Sequence, residues 1–536
     1  MKSEKSYFIL LLAVGSVILF AHLGLLYVDI MEARNFVSAR EMAHEGHWIF
    51  TTMNDLPRYE KPPLPTWLSA FMGMLFGFDH IGALRIPAAL VCFAALIYLY
   101  KIVVFVTNNA RLALISSLIF ITSFLVIYVG RRANWDIFSY AFMVIGMYYF
   151  LLALKNIKTF PNYLVAGIFF GFSVLSKGPT GPYVLLIPMY IAYVLTNGFP
   201  KWKEIGGIAF CAVITIIIGF SWYGYVYLAD SDTFLAVMEK EASARGNRDV
   251  KPFTRYLNFP AQTGIWIFFS VIGLIFPMMK KRTSQPRQYL FFFYWTVFAF
   301  IFLSLIPSKK ERYLFPMMVP LAVTTGYYLY YLFTVTQLKK WEKKLNKVIF
   351  SILGIVCLAL SVGIFFLPIS IGFYSIVFSL IAFAVGIYVL YSVFAGAKFE
   401  KAFSALLILM VGTVLFGIPI IDQAFNNNTE HKSMLILKDQ IENEKATLYS
   451  YEEYSPEVWF KYQEVMPEIK LNDAKTLPKE NQFYVATNTE GKHVMQPFEK
   501  MGYQVTLVDR YDDNEEGGKS KNHTERKIHY VYKVQK

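Results

Sequence analysis

Runs of about 20 apolar residues recur along this chain up to about Ile421 and then stop. A run of that length lets an α-helix cross the hydrocarbon core of a bilayer, where a helix satisfies its backbone polar groups internally. Hydrophobic residues make up 56% of the 536 residues and charged residues only 17%, whereas soluble domains carry about 25% charged residues. The sequence therefore predicts a polytopic α-helical membrane protein.

The apolar runs predict about thirteen transmembrane helices. Their ranges are 7–28, 83–105, 110–129, 136–154, 160–176, 180–196, 204–226, 261–279, 287–306, 313–334, 347–368, 371–394 and 402–421. The shorter segment 63–78, which contains Gly and Pro, is expected to lie at the interface without crossing.

Residues 426–536 have the composition of a soluble domain. Segments rich in β-branched and aromatic residues alternate there with two segments of helical pattern. The strand-like segments are 446–451, 481–488, 503–509 and 528–534, and the helical ones are 455–463 and 495–502. The predicted organisation is a transmembrane domain at 1–425 followed by a C-terminal soluble α/β domain at 426–536.

The distribution of Lys and Arg predicts which loops lie on which side of the membrane, because both residues are enriched in cytoplasmic loops. The short basic loops on the predicted cytoplasmic side are 155–158, 201–203, 280–287, 339–347 and 398–401. The N-terminus, with an uncleaved first helix, is expected on that side of the inner membrane. A first outer loop at 29–82, a later outer loop at 227–260 and the C-terminal domain are expected on the extracytoplasmic (periplasmic) side. The formal net charge of +13 is thus assigned to topology, and no nucleic-acid partner is expected.

Acidic and basic residues crowd the outer side where the apolar runs end. They are Asp29, Glu32, Arg34, Arg58, Glu60, Lys61, Arg131, Arg132, Asp136, Lys177, Lys309, Lys310 and Arg312. Carboxylates among cations at a lipid boundary suit an enzyme that acts on a phosphorylated lipid, since cations bind phosphate and a carboxylate can deprotonate a hydroxyl.

Several of these residues also have simpler interpretations. Asp29 could simply cap or leave the first helix, and Arg131 and Arg132 could be interface anchors whose side chains reach lipid headgroups. His44 and His47 could ligate a metal, but no third ligand is evident in the sequence. No Gly-rich phosphate loop indicates a soluble nucleotide donor.

The first outer loop resembles that of the aminoarabinose transferase and protein O-mannosyltransferase group, whose members have the GT-C fold. The matching residues are Glu32-x-Arg34, Arg40-Glu41-Met42, Gly46-His47-Trp48 and Glu60-Lys61-Pro62-Pro63-Leu64. Further matches follow in the same order at 83–90, Asp136, 176–181, 222–227 and 308–322. The resemblance covers about residues 1–335.

This resemblance implies a GT-C-like fold and an inverting glycosyltransferase. The donor would be a sugar on undecaprenyl (polyprenyl) phosphate, and the acceptor lipid A, another envelope lipid or glycan, or a protein hydroxyl, as in protein O-mannosyltransferases. The resemblance assigns Arg34, Lys61 and Arg245 to the phosphate and Asp136 as the acid of the second loop. Met31 occupies the place of the first acid of the group's pair. The general base is therefore expected to be Glu32, with Asp29 as its electrostatic partner or its alternative.

The resemblance also raises a metal near Glu60, because some members of the group bind one there with a His from a later outer loop. The loop 227–260 contains no His, so no metal cofactor is expected.

Two other functions remain as alternatives. A lipid or sugar transporter or flippase would carry charged residues deep within several helices, whereas these helix interiors are nearly free of charge. An inactive scaffold that presents the C-terminal domain would lose nothing when Glu32 is changed.

Overall fold

The computed structural model describes residues 4–247, 249–396 and 398–536, and it divides into two compact units. The helical unit contains Met1–Leu23, Tyr59–Pro65 and Arg85–Ile420. The mixed unit contains Gly24–Arg58, Thr66–Leu84 and Ile421–Lys536. Parts of the first outer loop thus share a unit with the C-terminal residues.

Most of the chain is helical. In chain order the helices are α1 (Glu4–Phe20), α2 (Ile30–His44), α3 (Leu64–Phe76), α4 (Ile81–Thr107), α5 (Ala110–Ile121), α6 (Phe124–Gly130), α7 (Trp135–Leu154), α8 (Thr159–Lys177), α9 (Ile187–Asn197), α10 (Trp202–Ala229), α11 (Ser231–Asn247), α12 (Phe259–Gln262), α13 (Ile267–Gly273), α14 (Phe276–Arg282), α15 (Pro286–Leu305), α16 (Phe315–Thr334), α17 (Lys340–Gly363), α18 (Phe373–Phe394), α19 (Phe399–Gly412), α20 (Ile418–Phe425), α21 (Lys438–Asn443), α22 (Pro456–Tyr462) and α23 (Lys492–Lys500). Short π-helical segments precede α9 at Pro182–Leu186 and α20 at Thr413–Gly417.

Within the described ranges, eight helices are long and apolar enough to cross a membrane, or ten if each of two bent helix pairs forms one span. The pairs are α5 with α6, bent by 67°, and a helix at Gly264–Gly273 with α14, bent by 81°. A multi-pass helical membrane protein is confirmed, but the count of about thirteen is not. The three other predicted segments form the 17-residue α1, the short helix Pro182–Asn197, and α16, whose threonines and tyrosines make it less apolar than the eight.

The first helix is shorter than predicted. α1 ends at Phe20, where the sequence predicted a helix to residue 28. The backbone leaves the helix through His22 and Leu26, which have φ of 52° and 65°. The acidic and basic residues that follow belong to a separate helix, α2, and Asp29 is its N-cap. His22 and Leu26 thus have left-handed backbone conformations, which a helix does not contain. This explains why the apolar run overestimated the length of α1.

The C-terminal α/β domain is confirmed as part of the mixed unit. Its strands are β3 (Leu448–Tyr451), β4 (Glu468–Ile469), β5 (Gln482–Thr487), β6 (Gln504–Asp512) and β7 (Ile528–Gln535), after a small hairpin of β1 (Thr52–Met53) and β2 (Leu56–Pro57). The five-stranded sheet has the order β4-β3-β5-β7-β6, with β3 parallel to both neighbours and β7 antiparallel to both of its own. Each predicted strand and helix of this region is present, because alternating apolar side chains fill its core around Phe483, Val485 and Val534.

The mixed unit is held together by buried polar side chains of α2 and the β1–β2 hairpin. The Arg40 guanidinium donates to the carbonyls of Trp459 and Glu464 at 2.9 and 3.0 Å. The amide of Asn54 both donates to Met466 O at 2.6 Å and accepts from Met466 N at 2.8 Å. Burial raises the pKa of Glu41, whose carboxylate accepts from the backbone N–H of Asn54 at 2.6 Å. These bonds fix α2 against residues more than 400 positions away in sequence.

Asn54 provides a test of this arrangement. It lies in the hairpin turn with φ of 54° and is 1% exposed. Asn54→Ala should destabilise the mixed unit by roughly 2–4 kcal/mol, because it removes two buried hydrogen bonds and places a Cβ-bearing residue without side-chain compensation at positive φ. Asn54→Gly loses the same hydrogen bonds without the backbone strain and should be less destabilising by about 1 kcal/mol. Thermal unfolding and protease resistance of the full chain measure both, and equal stabilities of wild type and Asn54→Ala would contradict the assignment.

Candidate functional site

A buried carboxylate organises the charged residues of the helical unit. Asp136 lies in the first turn of α7 and is 2% exposed. A carboxylate at this position interacts favourably with the positive end of the helix dipole. Burial of a charge is costly unless the charge is paired, so the partners of Asp136 decide what this site can do.

Both carboxylate oxygens of Asp136 have a cationic partner. The Lys177 ammonium, at the last residue of α8, forms an ion pair with Oδ1. Arg312 belongs to a 3₁₀ turn that precedes α16, and its Nε atom lies 3.3 Å from Oδ2. Tyr140, one turn further along α7, donates to Oδ1 at 3.4 Å. The ring of Tyr313 lies 4.6 Å from the Lys177 ammonium, a cation–π distance.

Lys61 is a third cation close to this carboxylate. It interacts electrostatically with Asp136 and lies 3.7 Å, Nζ to Oε1, from Glu241 of α11. Its neighbours Pro62 and Pro63 are buried, which fixes the backbone on which Lys61 is presented. Lys61 and Glu241 are about one-fifth exposed, at 19% and 21%. Among the contacts described here, three cations meet the carboxylates of Asp136 and Glu241, and cations gathered in this way can bind an anionic ligand.

Lys309 and Lys310 have other partners. The Lys310 ammonium pairs with Asp249 at 2.9 Å, and the backbone N–H of Lys309 donates to Asp249 O at 3.0 Å. The Lys309 ammonium donates to Ile306 O at 2.5 Å, and burial lowers the pKa of Lys309. Both lysines thus join the turn after α15 to the segment that follows α11.

The other predicted residues of the first loop lie in the mixed unit. Asp29 accepts, through Oδ1, the N–H groups of Met31 and Glu32 at 2.8 and 3.0 Å, so it caps the start of α2 and not the end of the first helix. Glu32 is fully buried in the first turn of α2. The Arg34 guanidinium lies over the Tyr454 ring at 5.2 Å. Arg58 is buried and donates to Arg34 O at 2.7 Å and to Ser38 at 3.1 Å.

Two further predicted residues are only partly defined. Glu60 precedes Lys61 in the helical unit and is half-buried. Arg245 belongs to the backbone of α11, but its side chain lies outside the described residues.

Arg131 has a role that the sequence did not indicate. Its guanidinium donates to the carbonyls of Ile18, Ala21 and His22 at 2.7, 2.6 and 3.1 Å. These carbonyls lie at and just beyond the C-terminal end of α1, which lacks intrahelical donors for its last turn. Burial, together with the nearby Arg85, lowers the pKa of Arg131 to about 10. Arg131 therefore stabilises a helix end.

Glu241, Tyr140 and Tyr313 also belong to the site and were not singled out from the sequence. Tyr140 follows Asp136 by four residues, a helical spacing that could have signalled it. Glu241 gives no comparable signal, because it is one of several acids in a polar segment.

The described residues do not fit a metal site. None of them form a group of three or more His, Cys, Asp or Glu side chains that could hold an ion. His47 bonds through Nδ1 to the Thr52 hydroxyl at 2.7 Å, and the His44 ring packs edge-on against Phe78. No step of the chemistry below is therefore routed through a metal.

Comparison with known proteins agrees with this architecture. Residues 60–223 match the family described as dolichyl-phosphate-mannose-protein mannosyltransferase. The structure of ArnT from Cupriavidus metallidurans bound to undecaprenyl phosphate superposes with a TM-score of 0.72 at 15% identity, covering 99% of this chain and 98% of that one. This chain therefore has the GT-C-like fold of that structure.

Curated relatives extend the comparison of this GT-C-fold chain. Undecaprenyl phosphate-alpha-4-amino-4-deoxy-L-arabinose arabinosyl transferases of Photorhabdus laumondii and Proteus mirabilis are each 26% identical to it, over 299 and 314 residues. These alignments cover 54% and 56% of this chain and 53% and 54% of the relatives. The chain thus spans about half the length of the curated relatives it matches.

The pairing at Asp136 can be tested by a double-mutant cycle. Asp136→Asn leaves Lys177 and Arg312 without their carboxylate and should lower stability by roughly 3–5 kcal/mol, the typical effect of removing one partner of a buried ion pair. Asp136→Asn combined with Lys177→Gln should be more stable than the sum of the single effects predicts. Thermal unfolding of the purified chain in detergent measures all four proteins. Strictly additive effects would show that the two side chains do not interact.

Proposed function

We propose that this protein is a membrane glycosyltransferase that transfers a sugar from a polyprenyl-phosphate donor to a hydroxyl of an acceptor. The observation that carries the proposal is the group of Lys61, Lys177 and Arg312 around Asp136 at the ends of membrane helices. Cations gathered at the ends of membrane helices suit a phosphate carried by a lipid. The activities for which the relatives and the matching family are named support the same donor class.

The proposed setting is the inner (plasma) membrane, with the N-terminus cytoplasmic and the C-terminal α/β domain extracytoplasmic. The proposed acceptor is a lipid A-like or other envelope lipid or glycan, as the resemblance of the first outer loop implies. A protein hydroxyl, as in protein O-mannosyltransferases, is the alternative acceptor, supported by the match over residues 60–223.

The proposed reaction is a single inverting displacement. The acceptor oxygen forms a bond to the anomeric carbon of the sugar, and the bond between that carbon and the phosphate oxygen breaks. The proton of the acceptor hydroxyl passes to a carboxylate base, and polyprenyl phosphate leaves with the bonding electron pair. Negative charge grows on the leaving phosphate, so fixed cations next to it stabilise the transition state more than the ground state.

The cations of the helical unit have different parts in this proposal. Asp136 holds Lys177 and Arg312 in place by direct ion pairs. The Lys61 Nζ atom lies 3.7 Å from the partly exposed carboxylate of Glu241. A phosphate can replace this carboxylate at a smaller cost in free energy than it could replace Asp136. We therefore assign the principal phosphate contact to Lys61. The wider set proposed to bind the donor or substrate, from the sequence, contains Arg34, Arg58, Glu60, Arg245, Lys309 and Lys310.

Lys61→Ala tests the function directly. Loss of a preorganised cation at the leaving group should reduce sugar transfer on the order of 10²-fold or more. The assay follows release of undecaprenyl phosphate from an undecaprenyl-phosphate sugar by the purified full chain, with the aminoarabinose donor tried first because the relatives are named for it.

Lys240→Ala is the matched control, since Lys240 is an exposed lysine next to Glu241 on α11. It should keep wild-type turnover. Wild-type turnover of a folded Lys61→Ala protein would remove Lys61 from the site, and absence of transfer by the wild type with every lipid-phosphate sugar offered would overturn the function itself.

The general base is proposed to be Glu32, with Asp29 as its electrostatic partner and Asp136 as the next candidate. The cap formed by Asp29 favours this order, because its Oδ1 already accepts two backbone N–H groups. Glu32→Gln should abolish turnover while donor binding persists, since the amide cannot accept the acceptor's proton. Asp29→Asn retains an oxygen for the cap and should keep part of the activity. The reverse pattern, an active Glu32→Gln and an inactive Asp29→Asn that binds donor, would exchange the two roles.

A further inference from the structure

The helical unit contains a cavity of about 350 Å³ whose lining includes two cations. Four helices meet around it: the last residues of α4, α7 and α9 and the first residues of α15. The polar side chains of Lys155, Asn197 and Arg287 line it together with apolar ones such as Phe105, Leu151 and Phe291. These helix ends carry two of the short basic loops, 155–158 and 280–287, so the cavity lies on the face predicted to be cytoplasmic.

The charge of this cavity is one-sided. Lys155 and Arg287 are its charged lining residues, and no acid is among the described residues that line it. Both cations donate to the same oxygen, Asn197 Oδ1, at 3.2 and 3.0 Å. A neutral amide oxygen brings the two positive charges together without compensating them, and such a pair favours an anion as a third partner.

The two cations keep donors for such an anion. Arg287 has five N–H groups, and the described hydrogen bonds use Nε, on Thr196 O at 2.6 Å, and NH2, on Asn197. Lys155 has three, of which one reaches Asn197. Glu204, the acid near Tyr193, is itself engaged, since it accepts from Lys201 N at 2.9 Å and from the Asn156 amide at 3.4 Å.

A simpler interpretation is that Lys155 and Arg287 only set topology, as lysines in short loops often do. Topology requires positive charge on one side but no cavity and no shared acceptor. Convergence from the end of α7 and the start of α15 on one oxygen beside a cavity is a further feature, and it matches the basic clefts between membrane helices that bind anionic lipid headgroups.

The apolar part of the lining decides between a lipid and a free anion. Phe105, Val106, Leu151 and Phe291 come from three membrane helices. An inorganic phosphate gains nothing from such walls, whereas the glycerol backbone and first methylenes of a lipid are stabilised against them. We propose that this cavity binds the phosphate headgroup of an anionic phospholipid from the leaflet on the basic-loop face, at Lys155 and Arg287. This site does not depend on the proposed glycosyltransferase activity.

Native mass spectrometry of the delipidated full chain in detergent tests the proposal. Phosphatidylglycerol is titrated against phosphatidylcholine with the same acyl chains and against inorganic phosphate. We expect one phosphatidylglycerol to bind saturably, with preference over phosphatidylcholine. Lys155→Gln combined with Arg287→Gln should weaken that binding tenfold or more, as loss of two cationic contacts near a membrane surface does.

Two matched variants separate charge from folding. Lys343→Gln with Lys344→Gln removes the same charge from exposed positions of α17 on the same predicted face and should bind as the wild type does. Lys155→Arg with Arg287→Lys keeps both charges and should retain most of the binding, although it alters the hydrogen bond from residue 287 to Thr196 O.

Three results would overturn the proposal. Equal binding of phosphatidylcholine would show that charge plays no part. Competition by inorganic phosphate at the affinity of the lipid would identify a free-anion site. Equal losses in the α17 control variant would mean that only net charge matters.

Discussion

The buried carboxylate of Asp136 is the constraint on which the functional part of the helical unit depends. A charge that is 2% exposed is tolerated because Lys177 and Arg312 neutralise it from two other elements. The same pairs bring the end of α8 and the turn before α16 to the start of α7. Lys61 also interacts electrostatically with Asp136, so three cations gather around this carboxylate, and we propose that a lipid-linked phosphate binds to them.

Buried polar groups also position a helix in the mixed unit. Arg40, Glu41 and Asn54 place buried polar groups of the first loop onto backbone groups of the C-terminal domain and of the hairpin. Hydrogen bonds of this kind are directional, so they fix the position of α2 more narrowly than apolar packing alone. We infer that one task of the C-terminal domain is to hold the helix that begins with Asp29 and Glu32.

Local patterns in the sequence predicted much of this structure. The strands of the C-terminal domain follow from alternating apolar residues, and the membrane helices follow from apolar runs. Single residues of the site, such as Lys61 and Asp136, were found because acids and bases crowd the outer ends of the apolar runs and because the resemblance implies a role for each. The end of α1 was misplaced because the conformations of His22 and Leu26 depend on tertiary structure. The bond between Asn54 and Met466 spans 412 residues, and no local pattern encodes such a contact.

The pairing of the charges was also beyond the sequence. Lys177, Lys309, Lys310 and Arg312 are equivalent as basic residues near Pro-containing turns, yet Lys177 and Arg312 reach Asp136 while Lys310 pairs with Asp249. The partner of each cation is set by helix packing. Arg131 illustrates the same limit, since its acceptors lie at the end of a helix more than 100 residues earlier.

We propose that Lys61, Lys177 and Arg312 together form the binding site for a lipid-linked phosphate. An experimental structure of the full chain with undecaprenyl phosphate tests this most directly. The expected result is a phosphate oxygen about 2.7–3.2 Å from Lys61 Nζ, with Lys177 or Arg312 in contact with the same phosphate or its bound water. A well-defined phosphate beyond the reach of all three side chains would contradict it.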